Sequence, residues 1–519
     1  MMSDAILFTE LLQQACLPLP ASPSKQVIVQ NVVSDSRQVQ PGSLFVALKG
    51  TSSDGHRFIP DAIQRGAVAV VGTKPLRKLG VPYVQVQDSR EALAYLAAAY
   101  HHYPARKLTV IGITGTEGKT TTATLIFQIM KEAGMQTGMI STVDAVVGEQ
   151  VLDTGFHVTT PDATDVQRYL AMMVAKGTTH VILEATSHGL AQKRVEACEF
   201  DIAVVTNITH EHLDYHGSME AYRASKARLF TSLEKTFFKP QGILRLAILN
   251  HDDSSYEYLS SLTSVTKISY GKHPNADIRP KQIRNDQGGL YFEIEGPTFH
   301  FPVESSLIGE YNISNILAAV SVTAVGLQLE PQVVQRGIKA LAAIPGRMER
   351  IAMGQDFTVI VDFAHTPNSL RCALETARQL TRGRVITLFG SAGLRDHLKR
   401  QMMAGISAQL ADLTILTAED PRTETLGDIL SEMVAGAQAQ GGIENQTYWR
   451  IPDRREAIRF AVTQAKPGDV VIVCGKGHEQ SMCFGNIEYP WDDRVAIRAA
   501  LSELLSISGP AMPFLPDQI

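Results

Sequence analysis

Residues 111–122 read Ile-Gly-Ile-Thr-Gly-Thr-Glu-Gly-Lys-Thr-Thr-Thr, between an apolar run (Leu108–Ile113) and a helical pattern (Thr121–Glu132). A strand, a glycine turn, Gly-Lys-Thr and a helix make a phosphate cradle. Its contacts would come from Gly115, Thr116, Glu117, Gly118, Lys119, Thr120 and Thr121. Backbone N–H groups and the helix N-terminus face the anion, Lys119 adds positive charge, and Thr120 offers a hydroxyl to magnesium. The spacing is not that of a strict P-loop, which would place glycine where Ile113 stands. A glycine turn that binds nothing is the plain alternative, and Lys-Thr at the head of a helix speaks against it.

Further along, Glu184 ends the apolar run His180–Ala185. A carboxylate at the end of a buried strand in a phosphate-loop domain suits magnesium; the plain reading is a helix start capped by Thr186 or Ser187. Thr206–His216 gathers three histidines (His210, His212, His216) with Glu211 and Asp214. The zinc-helix pattern His-Glu-x-x-His fails there, because Asp214 stands four after His210; one metal ligand is expected, not three. Tyr222–Phe230, which contains Lys226, reads from periodicity alone as an amphipathic helix with its basic residues at the surface. Four later loops each follow an apolar run: Asp362–Pro367, Gly390–Asp396, Glu419-Asp420-Pro421-Arg422 and Cys474–Glu479. Each is a plain turn in isolation, and four together at strand ends point to a shared pocket.

The elements that must hold these residues fall into three blocks. The first, 1–105, has short β-rich runs (Val27–Val33, Leu44–Leu48, Ala67–Val71, Tyr83–Val86) and a helix over Arg90–His101, with Pro104–Lys107 as a linker. The second, 106–340, alternates strands (Thr137–Ile140, His180–Ala185, Ile202–Asn207, Leu246–Leu249) with helical patterns, the signature of a mostly parallel sheet. It ends in a loop and helix over Ser306–Gly326. The third, 341–519, repeats the alternation with runs Val359–Phe363, Val385–Phe389, Leu413–Leu416 and Val470–Val473 and helices Leu426–Ala439 and Arg454–Gln464. The expected fold is α/β in three domains: a small N-terminal one, a central P-loop ATPase-like one and a C-terminal Rossmann-like one.

Composition narrows the function. A chain of 519 residues exceeds one core. A formal net charge of −5 excludes a general nucleic-acid binder. Five scattered cysteines (Cys16, Cys198, Cys372, Cys474, Cys483) lack metal or disulfide spacing, so a reducing cytoplasm is expected. Asp4 and Glu10 interrupt any leader pattern, so no signal peptide is expected, and no apolar run reaches membrane-spanning length.

Taken together, the motifs closely resemble the Mur ligase family over essentially the whole chain, most of all the subgroup that adds the third residue of the peptidoglycan stem peptide. The resemblance extends to Ser34-Asp35-Ser36-Arg37, Pro41–Ala47 and Gly50–His56 in the first block. It implies that Ser34, Ser36, Thr51, Ser52 and Ser53 hold the uridine end of UDP-MurNAc-L-Ala-D-Glu. It implies that Thr159, Thr160, Thr186, Gln192 and Arg194 grip the muramoyl-dipeptide. Asn312 would lie beside the nucleotide base, with Arg347 and Asp362 as further ATP contacts. Lys226 matches a lysine that is carbamylated in these ligases, turning a cation into an anion. With Thr120, Glu184 and His212 it would hold magnesium, and Lys119, Glu184, His212 and Lys226 would form the catalytic set. The implied reaction converts the D-Glu carboxylate to an acyl phosphate with ATP, which the incoming amine attacks, in a cytoplasmic, monomeric enzyme with no nucleic-acid or membrane partner.

The added amino acid is expected to be meso-diaminopimelate. In the family, Asp-Asn-Pro-Arg marks enzymes using it, and its Arg meets the distal carboxylate that L-lysine lacks. Here Arg422 is kept and Arg395 matches a second basic contact, with Glu419, Asp420, Pro421, Gly475 and Glu479 completing the amino-acid site. Glu419 and Asp420 replace the usual Asp and Asn; the added negative charge either suits the distal ammonium or weakens carboxylate binding. Other departures are Glu117 for Asn, Glu211 for Asp, Val158 for Asn and Ser391-Ala392 for Cys-Gly. L-lysine as substrate, a folylpolyglutamate synthetase, a non-catalytic nucleotide-binding relative and an ordinary P-loop kinase stand as alternatives.

Overall fold

β-branched residues turn the apolar runs into strands, and the helical patterns between them return the chain so that the strands lie parallel. The computed structural model describes residues 5–20, 26–50, 53–152, 159–209, 211, 213–239, 242–286 and 289–516. They form two compact units, Met1–Asp277 with Ala318–Glu330, and Ile278–Leu317 with Pro331–Ile519.

The first unit contains a four-stranded parallel sheet in the order Asn31–Val33, Ser43–Val46, Ala69–Gly72, Tyr83–Gln85. The single strand expected over Val27–Val33 is two: Ile28–Val29 pairs antiparallel with Ile6–Leu7, and Asn31–Val33 joins the larger sheet. Gln30 breaks the run because its N–H bonds Gly42 O and its carbonyl accepts the Tyr100 hydroxyl. The helix Ser89–Tyr100 begins where the Asp88 carboxylate accepts the N–H groups of Arg90 and Glu91.

An eight-stranded sheet follows in the order Gln150–Leu152, Ala145–Val147, Thr137–Ile140, His180–Glu184, Thr109–Thr114, Ile202–Val205, Leu246–Asn250, Thr266–Tyr270. Its last six strands are parallel. The first two make an antiparallel hairpin that periodicity did not signal. Thr109–Thr114 is buried throughout and sits near the middle of the sheet. Gly112 lets the helix Met219–Ser232 and the loop residue Phe200 close over it, since a Cβ there would meet Leu229 and Phe200 at 2.7 Å. Pro104–Lys107 is not an open linker. It is a 3-10 turn with Pro104 and Ala105 buried. Arg106 fixes it by lying over the Tyr103 and Phe237 rings, at 3.8 and 4.3 Å, and meeting Glu199 at 3.2 Å.

In the second unit a six-stranded sheet runs Glu349–Ile351, Thr358–Asp362, Val470–Cys474, Val385–Phe389, Leu413–Leu416, Tyr448–Arg450. Only the first of these strands is antiparallel to its neighbour. A three-stranded antiparallel sheet, Arg279–Asp286, Gly289–Glu295 and His300–Ser305, was not expected from the sequence. The helix anticipated in 306–326 is Tyr311–Val320, continued by a wider π-helical turn, Ser321–Gly326. No helix among the described residues is long and apolar enough to cross a membrane.

At the N-terminal edge of the large parallel sheet, Lys239 is buried. Its ammonium donates to Leu108 O (2.8 Å), Glu199 O (2.6 Å) and Asp201 Oδ2 (2.6 Å), and the same Oδ2 accepts Val110 N–H at 2.7 Å. Burial pushes the Asp201 carboxyl up and the Lys239 ammonium down despite their pairing. The pair therefore registers two strands more than it adds net stability, and breaking one side strands the other charge. Lys239→Met is expected to destabilise this unit by about 3–5 kcal/mol, read as a fall in the denaturant midpoint.

Candidate active site

The loops at the C-terminal ends of the central strands carry the first cluster. Gly115 has φ +151, and a Cβ there would lie 1.8 Å from Thr206 Oγ1 and 3.1 Å from Asn207 O. Thr206 and Asn207, at the end of the neighbouring strand, lace the loop. Thr116 N–H donates to Asn207 O (2.7 Å) and Glu117 N–H to Asn207 Oδ1 (3.0 Å), while Glu117 O accepts Asn207 Nδ2 (3.1 Å) and Thr206 Oγ1 (2.5 Å). Gly118, at φ 81, turns the chain into the helix Lys119–Glu132. Lys119 Nζ donates to Gly115 O (3.0 Å) and Thr116 O (2.8 Å).

Glu184 is fully buried. Its carboxylate accepts the Thr120 hydroxyl at 3.1 Å and the Thr142 hydroxyl at 3.0 Å. Thr142 lies beyond the strand Thr137–Ile140, and no motif marked it. Buried carboxylate and hydroxyl oxygens are hard donors that fit a magnesium ion. Lys226 corrects the reading of its helix as surface-basic: it is buried on Met219–Ser232, and its Nζ donates to Gly115 O at 2.6 Å. Burial, and then the Lys119 charge beside it, hold the Lys226 ammonium well below its ordinary pKa; Glu211 and Glu117 oppose the shift. Tyr222, one turn earlier and also buried, bonds Thr116 Oγ1 at 2.9 Å and so ties this helix to the loop. His212 and His210 lie outside the described residues.

The strand His180–Glu184 also leads into a second group. Thr160 Oγ1 donates to Glu184 O (2.9 Å) and bonds Thr186 Oγ1 (3.0 Å). Arg194 reaches Thr160 O at 2.7 Å, Gln192 Oε1 at 2.9 Å and Asp162 at 3.2 Å. Thr160, Thr186, Gln192 and Arg194 are thus brought together next to the buried carboxylate, with Thr159 adjoining. In the four-stranded sheet region Ser34 and Ser36 follow the strand Asn31–Val33, and Ser36 bonds Asp61. Ser53 is exposed and its carbonyl accepts Gly50 N–H at 2.9 Å. Thr51, Ser52 and Val158 lie outside the described residues.

The second unit gathers the later motifs at the ends of its parallel strands. Asp362 accepts Met348 N–H (2.7 Å) and Ala364 N–H (2.8 Å), binding the 346–349 turn to its strand. Arg347 lies 4.4 Å over the Phe363 ring, which also faces His365 and His478. Burial lowers both histidines to about 3, so both are neutral imidazoles. Asn312 sits on the helix Tyr311–Val320, donating to Ile308 O at 2.7 Å.

Glu419 is buried, and its Oε2 has no hydrogen-bond partner. Burial pushes its carboxyl up. Gly475, at φ +107, leaves room for it, since a Cβ there would lie 2.1 Å from Oε2. The negative charge of Asp420 is met by Lys476, a fully buried residue the sequence reading passed over. Lys476 Nζ lies 2.9 and 3.0 Å from the two Asp420 oxygens and 2.5 Å from Glu479. Burial alone would lower the Lys476 ammonium; Glu479 and Asp420 outweigh it and hold it above its ordinary value. Pro421 is buried, while Arg422 adopts φ 55, its N–H on Cys483 O (3.1 Å) and its carbonyl taking Gly485 N–H (2.8 Å). Arg454, fully buried and paired with Asp493 at 2.6 Å, donates to Ala418 O and Cys474 O, the residues just before Glu419 and Gly475. Arg395 is exposed on the glycine loop.

Family descriptions match along the chain: "Mur ligase family, catalytic domain" over residues 28–101, "Mur ligase middle domain" over 113–323, and "Mur ligase, glutamate ligase domain" over 346–477. A UDP-N-acetylmuramoyl-L-alanyl-D-glutamate--2,6-diaminopimelate ligase of Geobacillus kaustophilus is 43% identical over 470 residues, 90% of this chain and 94% of the relative. A UDP-N-acetylmuramyl-tripeptide synthetase of Roseiflexus sp. is 42% identical, covering 95% of this chain and 98% of the relative. A solved UDP-N-acetylmuramoyl-L-alanyl-D-glutamate--2,6-diaminopimelate ligase aligns with TM-score 0.66 and 29% identity, covering 96% of this chain and 99% of its own.

The fit at Gly115 has a direct consequence. Gly115→Ala forces Thr206 or Asn207 aside, an overpacking cost of about 1–3 kcal/mol. Nucleotide titration is expected to show triphosphate binding weakened about tenfold or more, since 1.4 kcal/mol is a factor of ten.

Proposed function

This chain belongs to the Mur ligase family, and from that premise we propose that it adds meso-diaminopimelate to the D-Glu carboxylate of UDP-MurNAc-L-Ala-D-Glu. ATP is converted to ADP and phosphate in the process. The reaction serves peptidoglycan precursor synthesis in the cytoplasm, by a monomer whose domains span 1–105, 106–340 and 341–519.

The observation that carries the proposal is the junction at Gly115, where the buried Lys226 meets the phosphate loop beside Lys119. A depressed lysine pKa favours the neutral amine, the form that attacks carbon dioxide. The N–C bond forms, one proton leaves to solvent, and a carbamate anion replaces a cation crowded by Lys119. Thr120, Glu184, His212 and the carbamylated Lys226 would hold magnesium, which would supply positive charge to offset that of the phosphates.

A carboxylate is a poor acyl donor because its leaving group would be oxide. Attack of the D-Glu carboxylate on the γ-phosphorus yields an acyl phosphate and ADP. The backbone N–H groups at the helix start, Gly118–Thr121, and the Lys119 ammonium receive the phosphate charge. Ser34, Ser36, Thr51, Ser52 and Ser53 hold the uridine end, and Thr159, Thr160, Thr186, Gln192 and Arg194 the muramoyl-dipeptide. Asn312, Arg347 and Asp362 would be further contacts of the nucleotide. The amine of the third amino acid then attacks the acyl carbon, the tetrahedral adduct collapses, and phosphate departs with the amide formed.

For the amino acid, the Lys476–Asp420 contact supports diaminopimelate over L-lysine. The charge that Asp420 brings in place of asparagine is taken up by a buried ammonium, leaving Arg422 and Arg395 to read a distal carboxylate. Glu419, Gly475 and Glu479 border the ammonium end, and Pro421 sets the turn into Arg422.

An amino-acid panel with UDP-MurNAc-L-Ala-D-Glu, scored by ADP release, tests the substrate. Stimulation by meso-diaminopimelate and not by L-lysine is expected, and the reverse result overturns the specificity. A phosphorylated product without amino-acid-dependent phosphate release would point instead to a kinase, and no ADP release with any amino acid to a non-catalytic relative. Arg422→Ala is expected to raise KM for diaminopimelate about tenfold or more, the worth of a charged hydrogen bond, and to erase the preference over L-lysine. Lys226→Ala is expected to lose turnover while nucleotide still binds. A short-chain carboxylate added to this variant is expected to restore part of the rate; undiminished activity without it would refute the carbamate.

A further inference from the structure

The two cations expected to read the distal carboxylate stand on different loops, Arg395 on Gly390–Asp396 and Arg422 on Glu419–Arg422, and neither loop belongs to a helix or strand. One residue, Glu424, joins them, by its side chain to one loop and its backbone to the other. Glu424 Oε2 accepts the N–H of Leu394, the residue before Arg395, at 2.8 Å, and Glu424 N–H donates to Pro421 O, the residue before Arg422, at 3.2 Å. The loops meet again where Gly393 N–H donates to Asp420 O at 2.9 Å, a contact so close that a Cβ on Gly393 would lie 1.9 Å from Pro421 O. Glu424 is itself held by Arg400, which is fully buried on the helix His397–Leu410. Arg400 Nη1 lies 2.6 Å from Glu424 Oε1 and Nη2 lies 2.7 Å from Oε2, a two-point grip. Nη1 also reaches Glu432 at 3.0 Å, and Nη2 reaches Ala392 O on the glycine loop at 3.4 Å.

We propose that the Arg400–Glu424 pair is a positioning clamp for amino-acid selection: it sets the spacing of Arg395 and Arg422 and so tunes affinity for the third amino acid without touching it. The clamp rests on the reading of this site as the diaminopimelate site. Its geometry suits the role. A rigid guanidinium fork fixes a carboxylate in both distance and plane, which a lysine cannot do. Glu424 then passes that position to two loop backbones rather than to a ligand. His397, Glu424 and Glu432 also offer ligand atoms within 4.8 Å of one another, the spacing of a metal site. The Arg400 guanidinium lies among the same carboxylate oxygens and supplies their positive charge, so the group reads as an arginine clamp.

The test compares Glu424→Gln and Arg400→Lys with the unaltered enzyme, using steady-state KM for each substrate and the diaminopimelate-to-lysine selectivity ratio. Thermal melting checks that each variant is folded. For Glu424→Gln, KM for meso-diaminopimelate is expected to rise about tenfold. KM for ATP and for UDP-MurNAc-L-Ala-D-Glu should stay within twofold, and the selectivity ratio should fall in step. Arg400→Lys, which keeps the charge but loses the fork, is expected to move the same quantities in the same direction by less. A folded Glu424→Gln enzyme with unchanged KM for diaminopimelate, or with all three KM values shifted together, overturns the clamp. If the unaltered enzyme does not use diaminopimelate at all, the substrate reading fails instead, and the two failures are distinguished by the unaltered control.

Discussion

Two lysines share one carbonyl oxygen, that of Gly115: Lys119 at 3.0 Å and Lys226 at 2.6 Å. Much of the first unit is arranged around that contact. Gly115 must lack a side chain because Thr206 packs against its α-carbon, and Thr206 and Asn207 must end the adjacent strand to lace the loop. The helix carrying Lys226 must come close enough for Tyr222 to reach Thr116. Like charges at one acceptor raise the cost of keeping both protonated, and in a buried setting that cost falls on the less solvated amine. Lys226 is the one that yields. Glu211 and Glu117, which stand where the family usually has Asp and Asn, both counter that cost. The extra charge in the phosphate loop thus has a counterpart.

The phosphate loop was legible from the sequence because its chemistry is local. Strand, turn, lysine and helix follow one another within a dozen residues, and only the helix start moved, from Thr121 to Lys119. The parallel strands of both sheets were legible for a similar reason, as short apolar runs between helical patterns. Burial of Lys226 was not, since a basic residue on a helix reads as solvent-facing until the loop that covers it is placed 111 residues earlier. The charge on Asp420 was left with two readings for the same reason, because its partner Lys476 lies 56 residues away. Thr142 and Arg400 carry no motif of their own. They matter only through carboxylates that other segments bring to them. The three-stranded antiparallel sheet at 279–305 was missed although its last strand alternates buried and exposed residues, His300–Ser305.

Buried arginines do for the second unit what glycines do for the first. Arg454 grips the carbonyls at two strand ends and Arg400 grips a carboxylate between two loops, so irregular backbone is tied to regular elements by multi-point hydrogen bonds. Arg454 is compensated by Asp493, which also accepts the Trp491 indole N–H at 2.8 Å. A loop held this way keeps its shape with little apolar burial of its own, which suits a pocket that must remain polar.

Glu184 serves two neighbourhoods at once. Its side chain faces the hydroxyls of Thr120 and Thr142, while its main-chain carbonyl receives Thr160 from the group around Arg194. A single residue is therefore the boundary at which two ligands would report on each other. If the sugar-peptide orders Thr160 and Arg194, Glu184 is the residue through which that ordering would reach the triphosphate side. Thermodynamic reciprocity requires the nucleotide to return the same factor. Occupancy of the two halves would then be coupled through this one residue.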